Sequence, residues 1–351
     1  MQAKHLFALV GLCAAPAVAQ SGSLLTVLQE NGFTKYAERL QTLNSPALTA
    51  GPNVVVYVPT NAAITNNGNS TIARRGSDED DRAGALYSVN AIAPRRIRNS
   101  TTGTKKVLAR DLGCTPGLVY ESWLNDPAFV NLGPGRNQTV VEKHISLAAQ
   151  PLVFTGLGAS VKVTGDDIPF SGGVIRPISG TLTLPRKVSE TLPILGADRF
   201  LALLQSSGVL GEVDNRASIT VFAPSNSAVR KAGTLTAAQL RQHILVDFPA
   251  YTTWIANGDV FPTLGGGSVT ASVQDGIISI NGAKIMASDA IVTNGVVHTV
   301  DKVLTASTPT TTTSPSTVPT SAAGTAKPLP WQHLALAFIA IAVAAATGRG
   351  H

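Results

Sequence analysis

Ile219-Thr220-Val221-Phe222-Ala223-Pro224-Ser225-Asn226-Ser227-Ala228-Val229 is a β-branched run that ends on a proline and turns, through Ser and Asn, into a second apolar stretch. β-Branched and aromatic side chains suit a pleated surface, proline cannot donate to a ladder, and Ser and Asn cap helix starts. The stretch therefore predicts strand, stop, helix. The same grammar stands earlier, in Val54-Val55-Val56-Tyr57-Val58-Pro59-Thr60-Asn61-Ala62-Ala63-Ile64. Working outward, Leu24-Leu25-Thr26-Val27-Leu28-Gln29-Glu30-Asn31-Gly32-Phe33 matches Phe200 to Val209 in apolar pattern, with Gln and Gly in identical places. Leu132-Gly133-Pro134-Gly135 pairs with Leu264 to Gly267, and Gly173-Val174-Ile175-Arg176 with Gly295-Val296-Val297-His298, each of these last opening a final strand. Four blocks in one order predict an internal duplication.

Composition favours a β-rich chain with many turns: 14% charged residues, 44% hydrophobic, 32 glycines and 21 prolines. The net charge of +6 falls to 6 − 3 = +3 once Lys4, Lys327 and Arg349 are set aside with the two end segments, which hold no acid. The remaining basic residues form no stripe interleaved with aromatics, so no nucleic-acid partner is expected.

Both ends read as addresses. Residues 1–19 have the form of a secretory signal: Lys4, an apolar run from Leu6 to Ala15, and Ala17-Val18-Ala19 as the cleavage site. At the other end, Ser321-Ala322-Ala323, a spacer Gly324 to His333 and an apolar tail Leu334 to Ala346 match a lipid-anchor (GPI) signal, residues 322–351, with Ser321 as the attachment point. A retained membrane helix is the other reading of the tail, but its 13 apolar residues would cover about 20 Å of a roughly 30 Å hydrocarbon core. Residues 306–321 are a Ser/Thr/Pro stalk without core-forming side chains. Three N-glycosylation acceptors, Asn69, Asn99 and Asn137, fall in the first half and are expected on exposed loops. With Cys13 in the signal, Cys114 is left alone and reads as a buried thiol.

The block Thr220 to Ala228, together with Asn294-Gly295-Val296-Val297-His298-Thr299-Val300-Asp301-Lys302-Val303-Leu304, resembles the paired motifs of the fasciclin (FAS1, beta-Ig-h3) domain family. The resemblance covers residues 195–305 and implies an α+β domain, a β-sandwich-like wedge with small helices. A more divergent copy over 20–186 makes two tandem FAS1 domains. It further implies an extracellular adhesion or matrix- and wall-organising role, no cofactor and no enzymatic activity. Carried over position by position, the family's Tyr-His place falls on Gln242-His243 and, in the first half, on Tyr87-Ser88. Its Asp-Ile place falls on Asp289-Ala290, which keeps the acid as a candidate partner contact. The first half has Arg176 where the second has His298. Pro59, Asn61, Pro224, Asn226, His243, His298 and Asp301 are the motif positions expected to serve structure.

Little else points to chemistry. His144, His243 and His298 stand in no metal-spaced pair, and neither a Gly-x-Ser-x-Gly nor a phosphate-loop pattern occurs. His298 reads as a buried, hydrogen-bonded residue with Asp301 or a backbone carbonyl as partner. Asp166-Asp167 reads as a loop, and Ser77-Asp78-Glu79-Asp80-Asp81 as a solvated one. The expected partners are extracellular or cell-wall polysaccharide or glycoprotein, or a second copy through self-association, with the membrane reached through the lipid anchor. The second reading is a surface small-ligand carrier or enzyme with a pocket invisible in the sequence; a deep pocket with converging polar groups would favour it.

Overall fold

Val54–Pro59 (β1) and Ile219–Pro224 (β9) are strands buried at every position, and each lies at the centre of its half. The structure is a computed structural model that describes residues 22–49, 51–67, 78–91, 117–144 and 149–305. The signal and stalk segments, Asn69, Asn99, Cys114 and Ser321 lie outside these residues.

The first half continues with β2 (Val89–Ala91), β3 (Gly117–Glu121), β4 (Thr139–Lys143), β5 (Leu152–Phe154), β6 (Ser160–Lys162), β7 (Ile168–Phe170) and β8 (Gly173–Ile178). These form two four-stranded sheets, ordered β2-β1-β8-β7 and β3-β4-β5-β6. After β9 come β10 (Ile244–Leu245), β11 (Val260–Pro262), β12 (Ser268–Gln274), β13 (Ile277–Ile280), β14 (Ala283–Val292) and β15 (Gly295–Val300), joined in one seven-stranded sheet, β10-β9-β15-β14-β13-β12-β11. With helices packed on both halves, the class is α+β with mixed sheets.

The duplication is visible in the register. β1 pairs in parallel with β8 from Val54↔Gly173 to Pro59↔Ile178, and β9 with β15 from Ile219↔Gly295 to Val300↔Pro224. A Cβ on Gly173 or Gly295 would lie 1.9 Å from the carbonyl oxygen of Val54 or Ile219, so only glycine lets the closing strand approach at that point. Tyr57 donates its N–H to Ser88 O as Phe222 does to His243 O, which places Tyr87-Ser88 and Gln242-His243 at equivalent sites.

Asn61 and Asn226 clasp equivalent helix starts. Their side-chain oxygens accept the N–H groups of Lys35 (3.1 Å) and Arg199 (2.9 Å), at the openings of helices Thr34–Thr42 and Asp198–Ser206. Helix Leu24–Glu30 therefore corresponds to Val188–Ile194, not to the Phe200 segment that its sequence pattern matched. Each of these earlier helices ends at a glycine with positive φ, Gly32 or Gly196. Val188 and Leu192 belong to the core of the second half, which thus begins ahead of residue 195. The Leu132/Leu264 pairing fails as well. Leu264 donates its N–H to Ile244 O, and the equivalent donor in the first half is Trp123, to Val89 O, so Leu132–Gly135 sits in an insertion between β3 and β4.

Two core clusters fill each half. One gathers Leu28, Leu40, Val56 and Ile175, another Tyr57, Tyr87, Leu124 and Ile178; their counterparts centre on Phe200, Leu204 and Val221, and on Phe222, Phe261 and Ile280. Each such side chain contributes about 1.5–3 kcal/mol on burial. The acidic run is not a loop: Asp78–Tyr87 is a helix whose carboxylates occupy its positive end. Asp81 pairs with Arg39, and Asp80 with Arg186 at 3.2 Å.

Ser225 caps the helix Asn226–Ala232, its Oγ accepting the Ala228 N–H at 3.3 Å. S225A is expected to cost about 1 kcal/mol in urea unfolding; an unchanged midpoint would mean the cap contributes nothing.

Candidate functional site

The side chains with chemistry to offer gather at three places, the first two of which are matched between the halves. At the first, His243 is fully buried beside Phe200, ring centroids 5.3 Å apart. Its Nδ1 faces Gln239 O at 3.0 Å and its Nε2 accepts the Leu304 N–H at 2.9 Å, which fixes a neutral ring protonated on Nδ1. Burial pushes its pKa down to about 4, against the pull of the Gln239 and Leu240 carbonyls. In the first half the same two positions hold Tyr36 and Ser88, hydroxyl to hydroxyl.

At the second place, His298 stacks on Phe222 at 5.5 Å and is fully buried. Nδ1 accepts the Asp289 N–H (3.1 Å) and Nε2 donates to Ala250 O (2.9 Å), the opposite tautomer from His243. Its partner is a backbone carbonyl and not Asp301, whose carboxylate instead accepts the Lys284 N–H at 2.8 Å. Burial again lowers the imidazole pKa, with Asp289 acting against it. The equivalent residue Arg176 is bidentate to Asp167 (2.7 and 2.5 Å) and to Glu142 (3.0 and 2.8 Å), and Glu142 also accepts the Tyr57 phenol at 2.6 Å. Asp167 is the loop residue of the Asp166-Asp167 pair that finds a partner.

Asp289 is the third place, and its expected role as a partner contact is overturned: the residue is 0% exposed. Register shifts between Ile285 and Ala290 mark β-bulges in β14, and Asp289 sits there at φ +61°. A bulge re-aims a side chain, and this one points inward. Lys143 of the first half meets it: Nζ lies 2.5 Å from Asp289 Oδ2, 2.7 Å from Ser288 Oγ and 3.0 Å from Thr252 Oγ1, and 4.2 Å from the centre of the Phe154 ring. Thr252 donates its N–H to Oδ1 at 2.9 Å and its hydroxyl to Oδ2. Burial alone would raise the carboxyl pKa; the Lys143 ammonium and these hydrogen bonds hold it below the usual range.

Strand β4 is what joins the halves. Its alternation sends Val140 and Glu142 into the first half, while Thr139, Val141 and Lys143 face the second. Thr139 Oγ1 bonds the Tyr251 hydroxyl at 2.6 Å, and Gln138 reaches Val292 O at 3.2 Å. Val119 and Val141 pack with Tyr251, Ile291 and Val296 in a fifth cluster. Backbone bonds Ile291 N–H to Thr155 O (3.0 Å) and Asn131 N–H to Thr293 O (2.6 Å) complete the seam. Periodicity finds the strands but not this network, because Lys143 and Asp289 are 146 positions apart.

Among the described residues no cluster of His, Cys, Asp and Glu is arranged to hold a metal, and no helix is long and apolar enough to cross a membrane. Pro59 and Pro224 end β1 and β9. Asn137 is half-buried at the β3–β4 connection, beside a cleft on the seam.

The fasciclin domain family matches residues 196–306. The chain is 30% identical over 203 residues to the fasciclin-like arabinogalactan protein elcF of Phaeosphaeria nodorum, covering 54% of this chain and 62% of that protein. It is 29% identical over 213 residues to the fasciclin-like arabinogalactan protein CTB11 of Cercospora beticola, covering 58% and 56%. The chain thus spans about three fifths of the length of these curated relatives. A solved FAS1 domain pair from the insect cell adhesion molecule Fasciclin I aligns over 80% of this chain and 95% of its own, at 15% identity and a TM-score of 0.34. The matched residues 196–306 hold the strand, proline and turn of Ile219–Val229 and the closing strand β15, so it is this second half that matches the fasciclin domain family.

Proposed function

We propose that this protein is a non-enzymatic adhesion or wall-organising protein of the cell surface. In this reading it is exported by residues 1–19, anchored at Ser321, and holds a tandem FAS1 pair outward on the 306–321 stalk, where it engages extracellular polysaccharide or glycoprotein. One observation carries it: the charged side chains Lys143, Asp289, Glu142, Asp167 and Arg176 are paired with one another, leaving the outer faces as the working surface. The kinship to fasciclin-like arabinogalactan proteins supports the same reading. Deleting residues 322–351 is expected to release the protein into the medium, followed by immunoblot of cell and medium fractions. Retention on the membrane would remove the anchor, and failure of the released chain to bind isolated wall polysaccharide or glycoprotein would remove the adhesive role.

A small-ligand carrier is the second reading. A hollow of about 320 Å³ lined by Leu43, Asn44, Ser45, Pro46, Arg82 and Leu86 favours it, being large enough for a small molecule. Its polar lining residues are Asn44, Ser45 and Arg82, of which Arg82 alone is charged.

A further inference from the structure

We infer that Asn137 carries an amide-linked carbohydrate whose first sugar packs across the seam against Trp254, so that the modification helps to hold the two halves together. The inference rests on the export proposed above. Asn137-Gln138-Thr139 is an acceptor sequence, and it is also the segment that builds the seam: Gln138 reaches Val292 O and Thr139 reaches the Tyr251 hydroxyl. Asn137 lines a cleft of about 30 Å³ together with Glu121 and Arg136 from its own half and Pro249, Tyr251 and Trp254 from the other. A notch of that size seats one edge of a sugar and is too small for a free ligand.

The chemistry of the walls fits the occupant. Trp254 is partly buried and held edge to face by Tyr251, ring centroids 4.8 Å apart, so the part of its ring that stays exposed is presented at a fixed angle. Aromatic rings pack well against the C–H face of a sugar, whose hydroxyls keep to water and to polar neighbours such as Arg136. Asn137 binds the fold through its backbone N–H, to Glu121 Oε1 at 3.4 Å, which leaves the amide nitrogen for the linkage. In the transfer, Asn137 Nδ2 loses one hydrogen and forms a C–N bond to the anomeric carbon of a polyprenyl-diphosphate-linked oligosaccharide. The C–O bond to the diphosphate breaks, the diphosphate leaves with the electron pair, and the proton passes to solvent. Because Gln138 and Thr139 are buried or bonded in the folded chain, transfer precedes closure of the seam.

The test expresses the full chain in a eukaryotic secretory host, maps occupancy at Asn69, Asn99 and Asn137 by glycopeptide mass spectrometry, and follows melting. Occupied Asn137 is expected, with N137Q melting about 2–4 °C lower and Trp254 emission, isolated by difference against W254F, more readily quenched by acrylamide. Endoglycosidase trimming of the unmutated protein to the first sugar should leave melting and quenching unchanged, since only that sugar reaches the cleft. Secretion with sugar on Asn69 or Asn99 but a bare Asn137 overturns this inference alone. No secretion and no sugar anywhere overturns it together with the export reading. An occupied Asn137 whose loss in N137Q moves neither melting nor quenching also overturns it.

Discussion

Replacing Lys143 with Met should cost about 3–5 kcal/mol, because it leaves the Asp289 carboxylate buried without its counter-charge. Lys143 is 11% exposed at its side chain and Asp289 0%, so water cannot take the place of the ammonium. A buried pair of this kind is weak evidence of net stabilisation, since both ions lost their hydration to form it, but removing one partner exposes the whole penalty. D289N should cost less: Asn tolerates the positive φ of the bulge, and Lys143 can turn its ammonium toward solvent. The double variant should therefore be more stable than the sum of the singles predicts, by about 1 kcal/mol, as for groups in contact. Urea unfolding of the four proteins measures this, and strict additivity would show that the two charges do not interact across the seam.

Acid should weaken the fold well before its carboxylates titrate. His243 is held neutral down to about pH 4, whereas in the unfolded chain it takes a proton near pH 6.5. Between those values the unfolded state binds the extra proton, so stability falls as pH falls, by about 3 kcal/mol over the window from His243. His298, also lowered by burial, acts in the same direction. A second proton on either ring would turn an accepting nitrogen toward a backbone N–H, from Leu304 or Asp289. Asp289, held low in the folded state, contributes stability that is present above its unfolded pKa and lost only as pH drops through the lower folded value. Near pH 5 unfolding should therefore take up about one proton more than unfolding of H243Q does. A flat stability profile from pH 6.5 to 4.5 would contradict neutral buried rings.

The parts of the fold that local chemistry determines could be read in the chain. β1 and β9 announce themselves by β-branched runs stopped at Pro59 and Pro224, and the closing strands by Gly173 and Gly295, where a backbone contact forbids a side chain. The apolar pattern alone misaligns the helical repeat, for a physical reason. Helices Leu24–Glu30, Val188–Ile194 and Asp198–Ser206 all bury an apolar stripe and stop before a positive-φ glycine, so the 3.6-residue pattern fits either partner. The hydrogen bonds of Asn61 and Asn226 tell them apart, and those depend on the tertiary fold. The helix Asp78–Tyr87 was hidden because four acids in a row repel one another in a loop, yet are favoured at a helix start with Arg39 and Arg186 alongside. The local sequence presents Asp289 as an outward contact, because the bulge that turns it inward to Lys143 leaves no mark there.

The two matched halves close along β4 into a single cooperative body, which requires that both unfold together. Trp123 packs against the first half's core and Trp254 on the seam, so with the third tryptophan, Trp331, replaced by Phe, a further Phe at either position leaves the other as a local reporter. Urea curves from the two reporters should superimpose on each other and on far-UV circular dichroism. Two separated transitions, one from each tryptophan, would mean that the halves fold independently and that the seam does not join them.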